Sequence, residues 1–176
     1  MPDKHAAVMA PIDAAVDHVR GSSAGRLIVE YGDYECPYSR QAFREIERVE
    51  KQLGDGVRFA FRHFPLTEIH PHALTAALVA EAASLQLRFW NMHELLYHHQ
   101  TAFDDDDLRR YAVELELDVA RFDSDRTGAG ALQRVRRDVG SGLASGQVRG
   151  TPTLFIDGVV HLGAYDAASL VEALTR

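Results

Sequence analysis

Hydrophobic and polar residues follow one another along the first third of the chain in a pattern that predicts two strands around one helix. Leu27–Tyr31 is short, mostly apolar and rich in β-branched residues, which is typical of a buried strand. Proline is tolerated in the first turn of a helix, so a helix is predicted from Pro37, with apolar residues at spacings of three and four. Those residues are Phe43, Ile46, Val49 and Leu53. Val57–Phe64 predicts a second strand, and Cys36 lies at the turn between the first strand and the helix.

The middle of the chain, about residues 67–146, is predicted to be helical, with Asp107 as one helix cap. The end returns to strands, with residues 153–156 and Val159–Leu162 forming a hairpin around Asp157-Gly158. A last helix follows the cap Asp166. We therefore predict an N-terminal arm over residues 1–24 and a single domain over residues 25–176, with a helical insertion between a β-α-β half and a β-β-α half.

Charge and composition exclude some classes of protein. A chain of 176 residues suits one domain with a sizeable core. Its formal net charge of −7 disfavours nucleic acid and anionic membranes as partners. No apolar run reaches the ~18 residues of a membrane span, and the first ten residues lack the apolar stretch of a secretory signal. We expect a cytoplasmic protein without membrane or nucleic-acid partners.

Cys36 is the single cysteine, so an internal disulfide is impossible. A lone cysteine is often an inert buried residue. At the start of a helix, however, unpaired N–H groups and the positive end of the helix dipole favour the thiolate, which is the nucleophilic form. The position therefore indicates a reactive, accessible thiol.

Four groups of residues together resemble the DsbA-like thioredoxin family. They are the segment from Tyr31 to Ser39 around Cys36-Pro37-Tyr38-Ser39, Glu30 six residues before the cysteine, Gly150-Thr151-Pro152-Thr153 with the following Phe155–Gly158, and Phe61–Leu66 with His70–Ala73. The last pieces are similar to cytosolic members, including thioredoxin-like domains fused to sodium/proton antiporters.

The resemblance implies an α/β thioredoxin fold, in which a central mixed β-sheet is flanked by helices and interrupted by a helical insertion. It implies thiol–disulfide oxidoreductase activity on protein or peptide thiols and disulfides, with Cys36 as nucleophile. Pro152 would be the family's cis-proline, and Thr151 beside it would pair with an extended substrate. Pro37 and Tyr38 would also line the substrate site.

Ser39 departs from the family, whose members commonly have a second cysteine there. A hydroxyl cannot resolve a mixed disulfide, but Ser39 could donate a hydrogen bond to the Cys36 thiolate. Three explanations stay open: a natural monothiol enzyme that uses glutathione as co-substrate, an engineered cysteine-to-serine variant, and a non-catalytic module that binds peptides or a partner domain. A glutathione-dependent transferase or peroxidase activity at Cys36 is a further alternative. No other cofactor is expected.

The resemblance implies that Glu30 corresponds to the acidic residue that the family buries beneath its active cysteine, and burying it charged would be costly. It could relay a proton to or from Cys36 through water, or instead reach solvent or a basic partner. The histidines, densest at His70-Pro71-His72 and His98-His99, are interpreted as solvated or capping residues, so no metal site is expected.

Overall fold

The computed structural model describes residues 8–176, and within them five strands form one mixed sheet. The strands are β1 (His18–Gly21), β2 (Arg26–Gly32), β3 (Val57–His63), β4 (Thr153–Ile156) and β5 (Val159–Val160), in the order β1-β3-β2-β4-β5. β2 and β3 are parallel, whereas the other neighbours are antiparallel. This order and the helical block between β3 and β4 are those of the predicted thioredoxin fold with an insertion.

Seven α-helices flank this sheet within the same residues, some of them packed on other helices. They are α1 (Pro37–Leu53), α2 (Ala73–Ser84), α3 (Phe89–His98), α4 (Asp105–Glu114), α5 (Val119–Arg126), α6 (Ala129–Ala144) and α7 (Ala167–Thr175). The larger core joins α1, α7 and the helices α2–α5 to one face of the sheet, and a smaller core covers the other face around Tyr31 and Phe155. Because side chains alternate along a strand, Glu30 of β2 points to the face of the larger core.

The predicted N-terminal arm is wrong for most of the residues that the structure describes there. β1 pairs with β3, and Met9 belongs to the smaller core. Arg62 of β3 is fully buried and forms two 2.9 Å hydrogen bonds with Asp17, and it also donates to the carbonyl oxygens of Ala10 and Pro11. A buried guanidinium needs such partners, so this segment is part of the domain, which starts well before residue 25. Residues 1–7 of the predicted arm lie outside the described residues.

Two predicted boundaries also differ. α4 starts at Asp105 after the N-cap Asp104, so Asp107 lies within its first turn rather than at the cap. Carboxylates there are favoured by the helix dipole, which explains why the helix extends over the acidic run. The hairpin partner is shorter than predicted, because β5 ends at Val160. Asp166 does cap α7, where its side chain accepts a hydrogen bond from Ser169 N–H.

Candidate active site

The turn between β2 and α1 places Cys36 at the N-terminus of a long helix. Cys36 is the N-cap residue of α1, and Pro37 is its first helical residue. The Cys36 N–H donates to the Asp33 carbonyl oxygen, and the Cys36 carbonyl oxygen accepts from Arg40 N–H, both at 3.1 Å. The thiol therefore lies beside the unpaired amides and the positive dipole end of α1, an environment that favours negative charge.

The Cys36 thiol faces the loop before β4 and is largely covered. Only 3% of the residue is exposed, so the sequence expectation of an accessible thiol is wrong in this conformation. Its Sγ lies 3.4 Å from the Thr151 carbonyl oxygen, in hydrogen-bonding geometry. The Thr151–Pro152 peptide bond is cis. Two segments separated by 115 residues thus meet at the sulfur.

Asp33 organises this turn, and sequence reasoning missed it. The side chain is buried and accepts three hydrogen bonds: from Glu35 N–H at 2.8 Å, from Leu66 N–H at 2.9 Å and from His70 Nδ1 at 2.7 Å. A buried carboxylate is stable when such donors surround it. The sequence signal was an aspartate three residues before the cysteine, a position that favours turns.

A second set of contacts ties the turn to the helical insertion. The Glu35 carboxylate accepts from His72 N–H at 2.6 Å and pairs with His72 Nδ1 at 3.0 Å. Gln100 Nε2 donates to the carbonyl oxygens of Tyr34, at 2.9 Å, and of Cys36, at 2.8 Å. His70 is mostly covered and pairs with Asp33, so interpreting it as a solvated or capping residue is wrong. His72 is exposed and is the N-cap residue of α2, as interpreted, and it also pairs with Glu35.

Ser39 lies one helical turn after Cys36 and is fully buried. Its Oγ accepts a hydrogen bond from Asp33 N–H at 3.2 Å. In residues 8–176 we find no hydrogen bond between Ser39 and the Cys36 sulfur. Ser39 Oγ thus accepts from the turn backbone, and donation of its O–H to a Cys36 thiolate stays a prediction.

Glu30 is buried in the central strand, which decides against the alternative that it reaches solvent. Neither carboxylate oxygen has a hydrogen-bond partner among the described residues. Desolvation raises the pKa of Glu30 to about 8, against a smaller opposing effect of the Arg20 charge. Glu30 is therefore predominantly protonated at neutral pH, and it makes no direct hydrogen bond to Cys36 in the described part of the chain.

A groove lies beside Pro152, next in sequence to Thr151. It has a volume of about 290 Å³ and is lined by apolar residues, such as Leu154 and Leu162, and by polar ones, such as Thr153 and His161. Across the turn, Pro37 is exposed and 63% of Tyr38 is exposed. The structure thus brings Thr151 to the sulfur and Pro152 to the groove, while Tyr38 contributes a free aromatic surface.

The described residues include no helix long and apolar enough to cross a membrane. One group of three metal-capable side chains occurs in this part of the chain, and it does not include Cys36.

Comparison with known proteins gives concordant matches. The family model of the DSBA-like thioredoxin domain matches residues 27–175. The chain is 41% identical over 170 residues to the Na(+)/H(+) antiporter NhaA 1 of Mycolicibacterium vanbaalenii and 44% identical over 173 residues to NhaA 1 of Salinispora arenicola. These alignments cover 95% and 96% of the chain but 27% and 26% of the relatives. The chain thus spans about a quarter of the length of these curated relatives.

Solved structures share the fold at low sequence identity. A thioredoxin-like oxidoreductase from Silicibacter pomeroyi superposes with a TM-score of 0.80 at 23% identity, covering 99% of this chain and 96% of that one. BdbD from Bacillus subtilis also gives 0.80, at 21% identity and 96% coverage of both chains. These likenesses establish the fold, and the family model extends from β2 to the last helix. The chain therefore belongs to the family of DSBA-like thioredoxin domains.

Proposed function

We propose that this protein is a thiol–disulfide oxidoreductase that acts through a single nucleophilic cysteine, Cys36. The observation that carries the proposal is the position of its sulfur, at the N-terminus of α1 and 3.4 Å from the Thr151 carbonyl oxygen. The helix N-terminus stabilises the thiolate, and the backbone around Thr151 can pair with an extended peptide. The groove beside Pro152 offers that peptide both polar and apolar surface, and the exposed Tyr38 adds an aromatic ring.

The proposed substrate is a disulfide or a glutathionylated cysteine. With the latter, the Cys36 thiolate attacks the glutathione sulfur, a new S–S bond forms, and the substrate sulfur leaves as a thiolate that takes up a proton. A glutathione thiolate then attacks the Cys36 mixed disulfide, which releases oxidised glutathione and restores Cys36. In this cycle one mixed disulfide of the substrate is reduced and one free glutathione is consumed, and oxidised glutathione carries both the glutathione from the substrate and the free one.

Glu30 and Ser39 would act on the two halves of this cycle. Glu30 carries a proton at neutral pH, since its pKa is about 8, and could exchange it with Cys36 through water. Ser39 stands where a resolving thiol would stand, so escape from the mixed disulfide must use an external thiol. Glutathione is the co-substrate that the proposal names.

The experiment compares release of a labelled peptide from the Cys36 mixed disulfide in wild type and in Ser39→Cys. We expect wild-type release to be proportional to glutathione concentration. In Ser39→Cys, a thiol one helical turn from Cys36 acts at high effective concentration, so release becomes nearly independent of glutathione. Ser124→Cys, which adds an exposed thiol on α5, is the matched control and should behave as wild type. Cys36→Ala should capture no peptide.

Equal release rates and equal glutathione dependence in wild type and Ser39→Cys would show that residue 39 is not at the resolving position. The proposal would then fail in its account of the cycle. Turnover that survives in Cys36→Ala would contradict it entirely.

The burial of Cys36 favours a second candidate, a non-catalytic module that binds extended peptides in the same groove. A thiol in a residue only 3% exposed is difficult for a disulfide to reach unless the loop before β4 moves. This candidate predicts that wild type and Cys36→Ala bind an extended peptide equally well, and that neither supports glutathione-dependent turnover. Turnover by the wild type excludes it.

A further inference from the structure

Three side chains from separate elements meet on the larger-core side of the sheet, remote in sequence from the active-site turn. They are His18 of β1, His63 at the end of β3 and Glu81 of α2. The Nε2 atoms of His18 and His63 lie 2.6 and 2.7 Å from the same oxygen, Oε1 of Glu81. The three ligand atoms all lie within 4.8 Å of one another. We call this group the His-His-Glu cluster.

The fold holds the donor atoms of the cluster in place. The sheet register pairs His18 with Phe61, so His63 is its diagonal neighbour on the adjacent strand. The His18 ring stacks on Phe89, with 3.5 Å between ring centroids and 8° between planes. The His63 backbone N–H donates to Asp138 Oδ2 at 2.9 Å. Donors fixed in this way lose little conformational entropy when they bind a ligand.

The charge state of the cluster also suits a cation. Burial opposes the ionisation of Glu81, but its hydrogen bonds with His18 and His63 hold its pKa well below the ordinary value. The cluster thus presents a carboxylate and two imidazoles. Arg134 lies nearby and adds positive charge, but its guanidinium is paired with Asp138 at 2.5 Å.

A partly open cavity of about 290 Å³ leads to the cluster and offers room for a further ligand. His18 and Glu81 line it together with small residues such as Ala15, Gly130 and Ala131. Two histidines and one glutamate, with a fourth position left for water, form a donor set that Zn²⁺ uses in proteins. Imidazole and carboxylate ligands at these separations need to move apart only slightly to surround an ion.

We propose that His18, His63 and Glu81 bind a divalent transition-metal ion, Zn²⁺ foremost, with water from the cavity as the fourth ligand. The ion would take the place of the Nε2 hydrogens that the two imidazoles now share with Glu81, so each neutral ring would carry its proton on Nδ1. It would join β1, β3 and α2. Nδ1 of His63 is buried without a hydrogen-bond partner among the described residues. Because metal-bound imidazoles are usually supported at that nitrogen, we expect an affinity about 10–100-fold below that of a fully supported site.

The test is a titration of the metal-free protein, residues 1–176, with Zn²⁺, followed by calorimetry and by the thermal unfolding midpoint. We expect one ion per chain and a midpoint that rises with Zn²⁺ concentration. Glu81→Gln keeps the side-chain volume but removes the anionic ligand. Its Zn²⁺ affinity should fall by more than about 100-fold, which exceeds the loss seen when a residue that only supports a metal ligand is replaced. Should Glu81→Gln fail to fold, His18→Asn, which replaces a ligand that lines the cavity, should likewise lower the Zn²⁺ affinity relative to wild type.

Cys36→Ser and His72→Asn are the matched controls, because Cys36 and His72, at the active-site turn, are other side chains that could bind Zn²⁺. Both should retain the wild-type Zn²⁺ affinity. Absence of saturable binding would overturn the proposal, as would unchanged affinity in the cluster variants or loss of binding in Cys36→Ser. None of these measurements depends on disulfide turnover, so they test the metal site independently of the proposed thiol chemistry.

Discussion

Replacing Glu30 by glutamine should change how the stability of this protein depends on pH. Glu30 is buried in the central strand, and neither of its oxygens has a partner among the described residues. An ionised carboxylate in that place would be strongly unfavourable, and burial accordingly raises its pKa from 4.5 to about 8. Glu30→Gln has nearly the same shape but cannot ionise.

The sign and size of the effect follow from proton linkage. Below pH 4.5 Glu30 is protonated in both states, so it adds no pH dependence. Between pH 4.5 and about 8 the unfolded chain releases a proton that the folded chain keeps, so the free energy of unfolding of wild type falls as pH rises. At about 1.4 kcal/mol per pH unit, the loss is about 5 kcal/mol over the whole interval, of which about 3 kcal/mol falls between about pH 5 and 7.5.

The assay is urea unfolding at several pH values from 5 to 8, with a reductant present to keep Cys36 from forming intermolecular disulfides. The difference in free energy of unfolding, Glu30→Gln minus wild type, should rise by about 3 kcal/mol between about pH 5 and 7.5. A buried amide without partners destabilises Glu30→Gln further, by about 1–3 kcal/mol, at every pH. The test is therefore how the difference in free energy of unfolding changes with pH, and not its absolute value. Glu68→Gln, at an exposed position, should give a flat difference. A flat difference for Glu30→Gln as well would refute the reasoning.

Two further substitutions test the polar framework of the domain. Asp17→Asn removes the charge that compensates buried Arg62 and should lower the free energy of unfolding by about 3–5 kcal/mol at neutral pH, while exposed Asp55→Asn changes it by less than about 0.5 kcal/mol. Equal effects would mean that Arg62 finds other partners. Asp33→Asn should cost about 1–3 kcal/mol, because a carboxamide cannot accept all three hydrogen bonds, and should speed hydrogen exchange at Leu66 N–H. Wild-type exchange there would argue against the anchoring role.

Sequence periodicity predicted β2, β3 and α1 correctly because each has a uniform pattern of buried positions. β2 and β3 are buried on both faces, and α1 has one apolar stripe against the core, so their patterns were clear. β1 was missed because it is four residues long and sits at the sheet edge, where partly polar side chains suffice. The segment before β1 is held by Arg62, whose partners there lie 45 to 52 residues away in sequence.

The candidate site was predictable where it depended on local geometry. A cysteine before a proline at a strand-to-helix turn indicates a helix N-terminus, and the structure has Cys36 there. The partners of Asp33 and Glu35 were not predictable, because His70 and His72 reach them across 37 residues of chain. The burial of the Cys36 sulfur was also missed, since it depends on the loop that presents Thr151.

The contacts of Arg62 with the N-terminal segment also show which part of the chain has to stay together when the domain is moved between genes. The family model begins at residue 27, but a gene fragment cut at that point would leave a buried guanidinium without its carboxylate and β3 without its edge strand. The similarity to the Salinispora arenicola antiporter covers 96% of the chain, more than residues 27–175 alone can account for. The unit that stays intact when it is moved between genes therefore includes β1 and the segment from Met9 to Asp17 as well as residues 27–175.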